Sequence, residues 1–236
     1  MITLRDVINN SKKTVFFGGA GVSTESGIPD FRSPDGLYNM KYDYPPEQIL
    51  SHSFFVSNTE EFYRFYRDKM LAPYAKPNKA HLTLASLEQK GLLSSVITQN
   101  IDGLHYAAGS KRVLELHGSV LRNYCQRCGK MFGVDYILNS AGVPHCECGG
   151  VIKPDVVLYE EPLNEAITNE AIDEISSCDA LIIAGTSLTV YPAASYVRLF
   201  NGRYMVLINR DKTPMDSSAD LVIHRKAGEV LGELEY

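Results

Sequence analysis

Basic residues are not in surplus in this sequence, and no apolar stretch is long. The 236 residues hold 28 acids against 23 Lys and Arg, a formal net charge of −5. With no dense Lys/Arg run, there is no general electrostatic pull toward nucleic acid or an anionic membrane. No apolar run approaches the ~20 residues of a membrane span. The opening Met1-Ile2-Thr3-Leu4-Arg5-Asp6 lacks the apolar stretch of a secretory signal. Cysteine is scarce, and four of the five fall between Cys125 and Cys148. That clustering suits metal ligation in a reducing compartment better than a disulfide framework. Together these absences predict a cytoplasmic protein with no nucleic-acid or membrane partner. Internal repeats and low-complexity tracts are also missing. What is present, 44% apolar and 22% charged residues, is the make-up of a globular protein with one large domain and room for a small insertion.

Thr3, with Asp6 three residues on, reads as a capping-box variant opening a short helix whose Leu4, Val7 and Ile8 share a face. Apolar runs at Thr14–Phe17, Val96–Thr98, Val113–Leu116, Val156–Leu158, Ala180–Ala184, Tyr204–Ile208 and Leu221–Ile223 read as strands. Helices are expected from the Asn78 cap to Gly91, over Glu165–Ser176, near 193–199 and near Glu229. Between 34 and 77, Phe54, Phe55, Phe62 and Phe65 alternate with proline breaks, which reads as a helical insertion with a loop near 34–44. Strands alternating with helices predict an α/β fold, a Rossmann-like doubly wound parallel sheet.

Gly19, Gln99, Gly185 and Asn209 each stand just past a predicted strand. Ligands of open parallel sheets bind outside those carboxyl ends, so four distant motifs are expected to meet in one crevice. In the turn Gly18-Gly19-Ala20-Gly21, glycines let backbone amides approach a dinucleotide pyrophosphate. Thr24 replaces the third glycine of the usual fingerprint, and Gly27-Ile28-Pro29 breaks the helix that normally follows. Gln99 and Asn100 offer amides suited to sugar hydroxyls, and Asp102 offers a carboxylate suited to a carboxamide NH₂. The same residues also fit a tight turn, a surface loop and a capped strand end. Among six histidines only His117 precedes a glycine straight after an apolar strand; His52, His81, His105 and His224 lack that setting. Cys125-x₂-Cys128 and Cys146-x-Cys148 have the spacing of a tetrahedral, four-thiolate zinc site with no open position, hence a structural one. His145 is an alternative to one of the second pair. Cys178 stands apart, and a small buried hydrophobe is expected there.

Gly18 to Ser33, Thr98-Gln99-Asn100-Ile101-Asp102, Leu116-His117-Gly118, the cysteine cluster, Gly185-Thr186-Ser187-Leu188 with Val190 and Pro192, and Ile208-Asn209 occur in one order. That order resembles the sirtuins, NAD-dependent protein deacylases, from Phe16 to about Asn209. The resemblance implies an NAD site of Gly19, Ala20, Gly21, Thr24, Asp30, Phe31, Arg32, Gln99, Asn100, Ile101, Asp102 and His117. Gly185, Thr186, Ser187 and Asn209, with Lys226 and Ala227, would take the adenosine side. His117 would be the catalytic base, with Asn100 beside it. The resemblance also implies an acyl-lysine peptide lying as a strand along Val156, Val157 and Leu158 on one side and Leu188 and Val190 on the other. Its domain plan gives 1–33, 78–119 and 153–236 to the NAD-binding part, 34–77 to the helical insertion and 120–152 to an inserted zinc ribbon. The implied reaction is NAD-dependent deacetylation of protein lysine, with release of nicotinamide and 2′-O-acetyl-ADP-ribose.

Three departures stand out. One residue, not two, separates the second cysteine pair. Lys153 replaces an arginine, and Tyr159-Glu160-Glu161 replaces Phe-Gly-Glu beside the groove. Members that take succinyl or malonyl groups carry a Tyr-x-x-Arg pair. Here Tyr63 is followed by Tyr66 at the arginine position, with Arg67 one residue further, so acetyl and other uncharged acyl groups are expected. Two rival functions share the site: a mono-ADP-ribosyltransferase, and a non-catalytic NAD-sensing protein.

Overall fold

The computed structural model describes residues 2–30, 36 and 44–234. Its strands are β1 Thr14–Gly18, β2 Ser95–Thr98, β3 Val113–Glu115, β4 Gly118–Cys125, β5 Met131–Gly133, β6 Ile152–Val156, β7 Ala180–Ala184, β8 Tyr204–Ile208 and β9 Leu221–Ile223. Six of them form one sheet in the order β3-β2-β1-β7-β8-β9, and every pairing is parallel. The chain runs outward from β1 on one side and outward from β7 on the other. The order therefore reverses between β1 and β7, where a doubly wound sheet opens its ligand crevice.

The strands are continuous apolar runs because both faces are covered. Phe16, Val96, Ile182 and Val206 enter one core, with Leu4, Val7 and Ile8 of the first helix and Leu84 and Leu87 of Lys79–Gln89. Their neighbours Val15, Phe17, Ile97, Leu181, Ile183 and Leu207 enter the opposite core, with Ala171 and Ile175 of Glu165–Ser177. Thr3 caps the first helix with the expected Asp6 box. Asn78 caps Lys79–Gln89 by accepting from the Ala80 N–H, and Gly91, at φ +70°, turns the chain out of it. Cys178 is buried as expected.

The three remaining strands form a separate antiparallel sheet, β5-β4-β6. This corrects one expectation. Val156 does not open a strand of the parallel sheet; it ends β6, which pairs with β4 through Gly118↔Val156 and Ser119↔Asp155. β6 is an edge strand, which is how it accommodates Pro154. The helical insertion contains helices Pro46–Ile49, His52–Ser57 and Thr59–Phe65. A π-helical turn, Tyr66–Met70, completes it. Phe54, Phe55, Phe62, Tyr63 and Tyr66 pack with Val120, Ile137, Ile152 and Leu158 into a third core. The small sheet and the insertion thus stand as one lobe beside the large sheet. No helix among the described residues is long and apolar enough to cross a membrane.

Candidate active site

β1 and β7 are neighbours and end level, with Gly18 opposite Ala184. The turns beyond them interlock. The Gly19 N–H donates to the Ala184 carbonyl at 3.1 Å, and the Gly21 N–H donates to the Gly185 carbonyl at 2.8 Å. A Cβ on Gly19 would lie 2.8 Å from the Thr186 Cβ, and one on Gly21 would lie 2.7 Å from the Gly185 Cα. Glycine is required because the two backbones touch. After Gly19 the chain makes two 3-10 turns, Ala20–Val22 and Thr24–Ser26, closed by Gly27 at φ +83°, where an ordinary dinucleotide fold has an α-helix. Asp30 lines the cleft below them. Phe31 and Arg32 lie outside the described residues.

β2 delivers Gln99 to Asp102 from the other side. The Gln99 Nε2 donates to Thr186 Oγ1 at 3.2 Å, bridging the two loops. Asp102 accepts the Leu104 N–H on Oδ1 at 2.8 Å and the Ser23 hydroxyl on Oδ2 at 2.6 Å. The buried Asn100 donates its Nδ2 to the same Ser23 oxygen at 3.1 Å. Ser23 thus ties the ribose and carboxamide candidates together. Nothing adjacent to Ser23 in the sequence marks it for this role, because both of its partners come from the far side of the fold.

His117 follows β3. Its Nδ1 lies 2.9 Å from the Gln99 carbonyl, which only accepts, so the Nδ1 carries the proton and donates. The Nε2 is then an unprotonated acceptor. Burial lowers the imidazole's pKa, partly opposed by the Gln99 bond, so the neutral base predominates at pH 7. The His117 carbonyl accepts from the Val157 N–H at 3.0 Å, which fixes the base to the β6 exit. Gly118 must be glycine: φ is +75°, and a Cβ would fall on the Asp155 carbonyl oxygen.

These residues line one cleft of about 1200 Å³. It runs from Asn209, Lys226 and Ala227 past both glycine turns to His117, and on to Val156, Val157, Leu158, Ser187 and Val190. Leu188, at φ +55° and 5% exposed, turns its side chain into the core beneath the cleft. The replaced glycine at 160 leaves its turn intact, because Glu160 adopts φ +75°. Its carboxylate accepts from the Ser53 N–H at 2.8 Å and the Ser53 hydroxyl at 2.6 Å, which holds it below the usual carboxylate range. Lys153 donates to Glu161 at 3.0 Å, and Glu161 also accepts from the Leu158 N–H at 2.9 Å.

The sulfurs of Cys125, Cys128, Cys146 and Cys148 lie within 4.8 Å of one another, with Cys125–Cys148 at 3.5 Å and Cys128–Cys146 at 3.7 Å. A tetrahedron with Zn–S bonds of ~2.3 Å has edges of about 3.8 Å, so the donor set fits zinc. Cys-x-Cys closes the site as well as a longer spacing, because Gly149 turns at φ +78° and a Cβ on Gly150 would meet the Cys125 sulfur at 2.6 Å. His145 points elsewhere, its Nδ1 2.8 Å from the Val143 carbonyl. One structural zinc on four cysteines is the chemistry these donors support.

The fold and site define a Rossmann-type, NAD-binding protein with a cysteine metal module. The model of the Sir2 family matches residues 19–192. A Clostridium perfringens protein named NAD-dependent protein deacetylase is 57% identical over 98% of this chain and 96% of its own length. A solved Sir2 histidine-to-alanine variant with deacetylated p53 peptide and 3′-O-acetyl ADP ribose superposes at TM-score 0.89. It is 44% identical, over 96% of this chain and 93% of that one. A structure of Sir2Tm bound to a propionylated peptide gives TM-score 0.85 and 42% identity over 96% and 93%. The chain belongs to the Sir2 family of sirtuins.

Proposed function

We propose that this chain is an NAD-dependent protein-lysine deacetylase that releases nicotinamide and 2′-O-acetyl-ADP-ribose. The observation that carries the reading is the hydrogen bond from His117 Nδ1 to the Gln99 carbonyl. It leaves a neutral Nε2 as a base in a cleft lined at one end by interlocked glycine turns and at the other by the β6 exit. Relatives named for this activity match over nearly the whole chain. NAD supplies the ribose carbon to which the acyl oxygen is transferred as nicotinamide leaves. Gly19, Ala20, Gly21 and Thr24 hold its pyrophosphate, in a turn packed so closely on Gly185 and Thr186 that it has no room for a Cβ at 19 or 21. Gln99 and Asn100 bind the ribose, and Ile101 and Asp102 bind the carboxamide. The resemblance also assigns Asp30, Phe31 and Arg32 to NAD binding; Gly185, Thr186, Ser187, Asn209, Lys226 and Ala227 receive adenosine. His117 takes the proton from a ribose hydroxyl, and Asn100 keeps that sugar in reach.

The substrate is an acyl-lysine protein segment, laid as a strand between Val156–Leu158 and Ser187–Val190. Uncharged acyl groups suit the lobe. Tyr66, at the position of a carboxylate-reading arginine, is fully buried. Arg67 is committed elsewhere, donating to the Ile137 carbonyl at 2.9 Å, the Ser140 hydroxyl at 2.9 Å and the Gly142 carbonyl at 2.7 Å. Zinc, held by Cys125, Cys128, Cys146 and Cys148, keeps the small sheet together and so the β6 wall of the groove in place. The partition into NAD-binding part, helical insertion and zinc module, and a cytoplasmic location that keeps the thiolates reduced, belong to the same reading.

The test is incubation with NAD and an acetyl-lysine peptide, alongside His117→Ala, with products followed by mass spectrometry. Deacetylated peptide and O-acetyl-ADP-ribose, lost in the variant, are expected. Transfer of labelled ADP-ribose to protein, or NAD binding without nicotinamide release, would overturn the proposal.

A further inference from the structure

Two buried histidines that belong to neither the metal centre nor the base stand behind Ser23. His81 is 0% exposed and His105 is 2% exposed. Their ring centroids are 4.7 Å apart, and the His105 ring also meets Phe16, centroid to centroid 6.1 Å. Neither ring nitrogen of His105 has a hydrogen-bond partner among the described residues, so the ring serves as a packed wall that fixes the plane of His81.

The tautomer of His81 follows from its neighbours. The Asn78 backbone N–H donates to His81 Nδ1 at 3.3 Å, so that nitrogen is unprotonated and the proton sits on Nε2. Nε2 lies 3.4 Å from Ser23 Oγ. The Ser23 hydroxyl gives its one proton to Asp102 at 2.6 Å, so its lone pairs accept from His81 and from Asn100. The hydroxyl is saturated and cannot rotate away from Asp102 without breaking a bond. A directed chain therefore runs from the start of helix Lys79–Gln89 through His81 and Ser23 to the carboxylate in the cleft.

We propose that His81 is a positioning residue for Asp102, acting through Ser23, and that it sets how tightly the pocket takes the nicotinamide carboxamide. The inference rests on the nicotinamide reading of Asp102 given above. Burial holds both histidines below the usual imidazole range, His105 at about 3, consistent with two neutral rings in contact.

Two substitutions separate positioning from mere capping of the helix. His81→Asn keeps an acceptor near Nδ1 for the Asn78 N–H but loses the donor to Ser23. His81→Gln keeps a donor near Nε2 and loses the cap acceptor. With acetyl-peptide turnover first measured for the wild type, His81→Asn should raise the nicotinamide concentration for half-inhibition about five-fold, the scale of one lost hydrogen bond. The peptide KM should not move. His81→Gln should restore the wild-type nicotinamide response, although it melts at a lower temperature. A wild-type response in His81→Asn, or a Gln variant no better than Asn, overturns the proposal. Should the variants not fold, ¹⁵N spectra of the wild-type imidazoles decide. An Nε2-protonated His81 is required, and an Nδ1-protonated ring overturns the chain. A wild type that releases no nicotinamide from NAD would instead remove the functional reading beneath it, while the tautomer measurement would still judge the relay.

Discussion

Gly118→Ala perturbs the joint that holds the base to the groove. Residue 118 sits at φ +75°, a conformation that costs an L-residue about 1–2 kcal/mol. The added methyl would fall on the Asp155 carbonyl oxygen and 2.9 Å from its carbon. That obstacle is backbone, so no side-chain rotation relieves it, and overpacking of this kind adds about 1–3 kcal/mol. The expected destabilisation is about 2–5 kcal/mol, a large share of a typical domain's stability. In thermal melts it corresponds to a fall of roughly 4–20 °C. The strain is placed where β4 meets β6 and where the Val157 N–H reaches the His117 carbonyl. The base should therefore shift against the proposed peptide groove, and kcat should drop about 10- to 100-fold. Gly133→Ala is the control: φ is −76°, and nothing lies within 4 Å of the added carbon. Urea unfolding and steady-state deacetylation read both effects. If Gly118→Ala matches Gly133→Ala in stability and keeps its kcat, the steric account of the His-Gly pair is wrong.

The pH dependence of kcat/KM should show an acid limb with a midpoint below the ordinary histidine value of 6.5, because burial disfavours protonated His117; a midpoint above it would contradict the buried-base geometry. His105 makes a separate prediction about stability. Its folded pKa of about 3 lies below the unfolded 6.5, so the unfolded chain binds the extra proton. Its stabilisation is complete above pH 6.5 and is lost as pH falls toward 3, with a slope approaching about 1.4 kcal/mol per unit. His105→Leu should flatten that part of a stability–pH curve. Cys128→Ser should abolish bound zinc and loosen the small sheet, whereas His145→Ala should retain the metal; elemental analysis and amide exchange distinguish the two. Glu160→Gly should leave the peptide KM unchanged, because glycine takes φ +75° freely, while Glu160→Ala keeps the strain, loses Ser53 and should raise KM.

The large sheet was legible in the sequence because its strands are buried on both faces and so appear as unbroken apolar runs that end at the site motifs. The small sheet was not. In β4, Gly-Ser-Val-Leu-Arg-Asn-Tyr-Cys mixes exposed, half-buried and buried positions, and its register shifts between Ser119 and Asn123. β6 carries Pro154 and a polar alternation, so the apolar Val156–Leu158 just after it looked like the strand. The short helix Val134–Asn139 has no capping side chain to announce it. The cysteine spacing, by contrast, was enough for the metal module, because two tight turns place four sulfurs whatever the loop between them does.

The site divides along the same line. Residues whose role depends on backbone contact with their own neighbours, such as the glycines and His117 before Gly118, leave a local trace. Residues whose role depends on side chains meeting across the fold leave none. His81 and His105 looked unremarkable among six histidines because nothing adjacent in the sequence marks them; their setting is made by Ser23, 58 residues from His81. Leu188 shows another limit: it stands in a motif that reaches the cleft, but a left-handed backbone turns its side chain into the core, and no one-dimensional pattern carries that sign. Glu160 gives the physical reason such departures persist. A glycine can be replaced where φ is positive if the new side chain finds a partner that the turn already presents, and here the Ser53 N–H and hydroxyl are that partner.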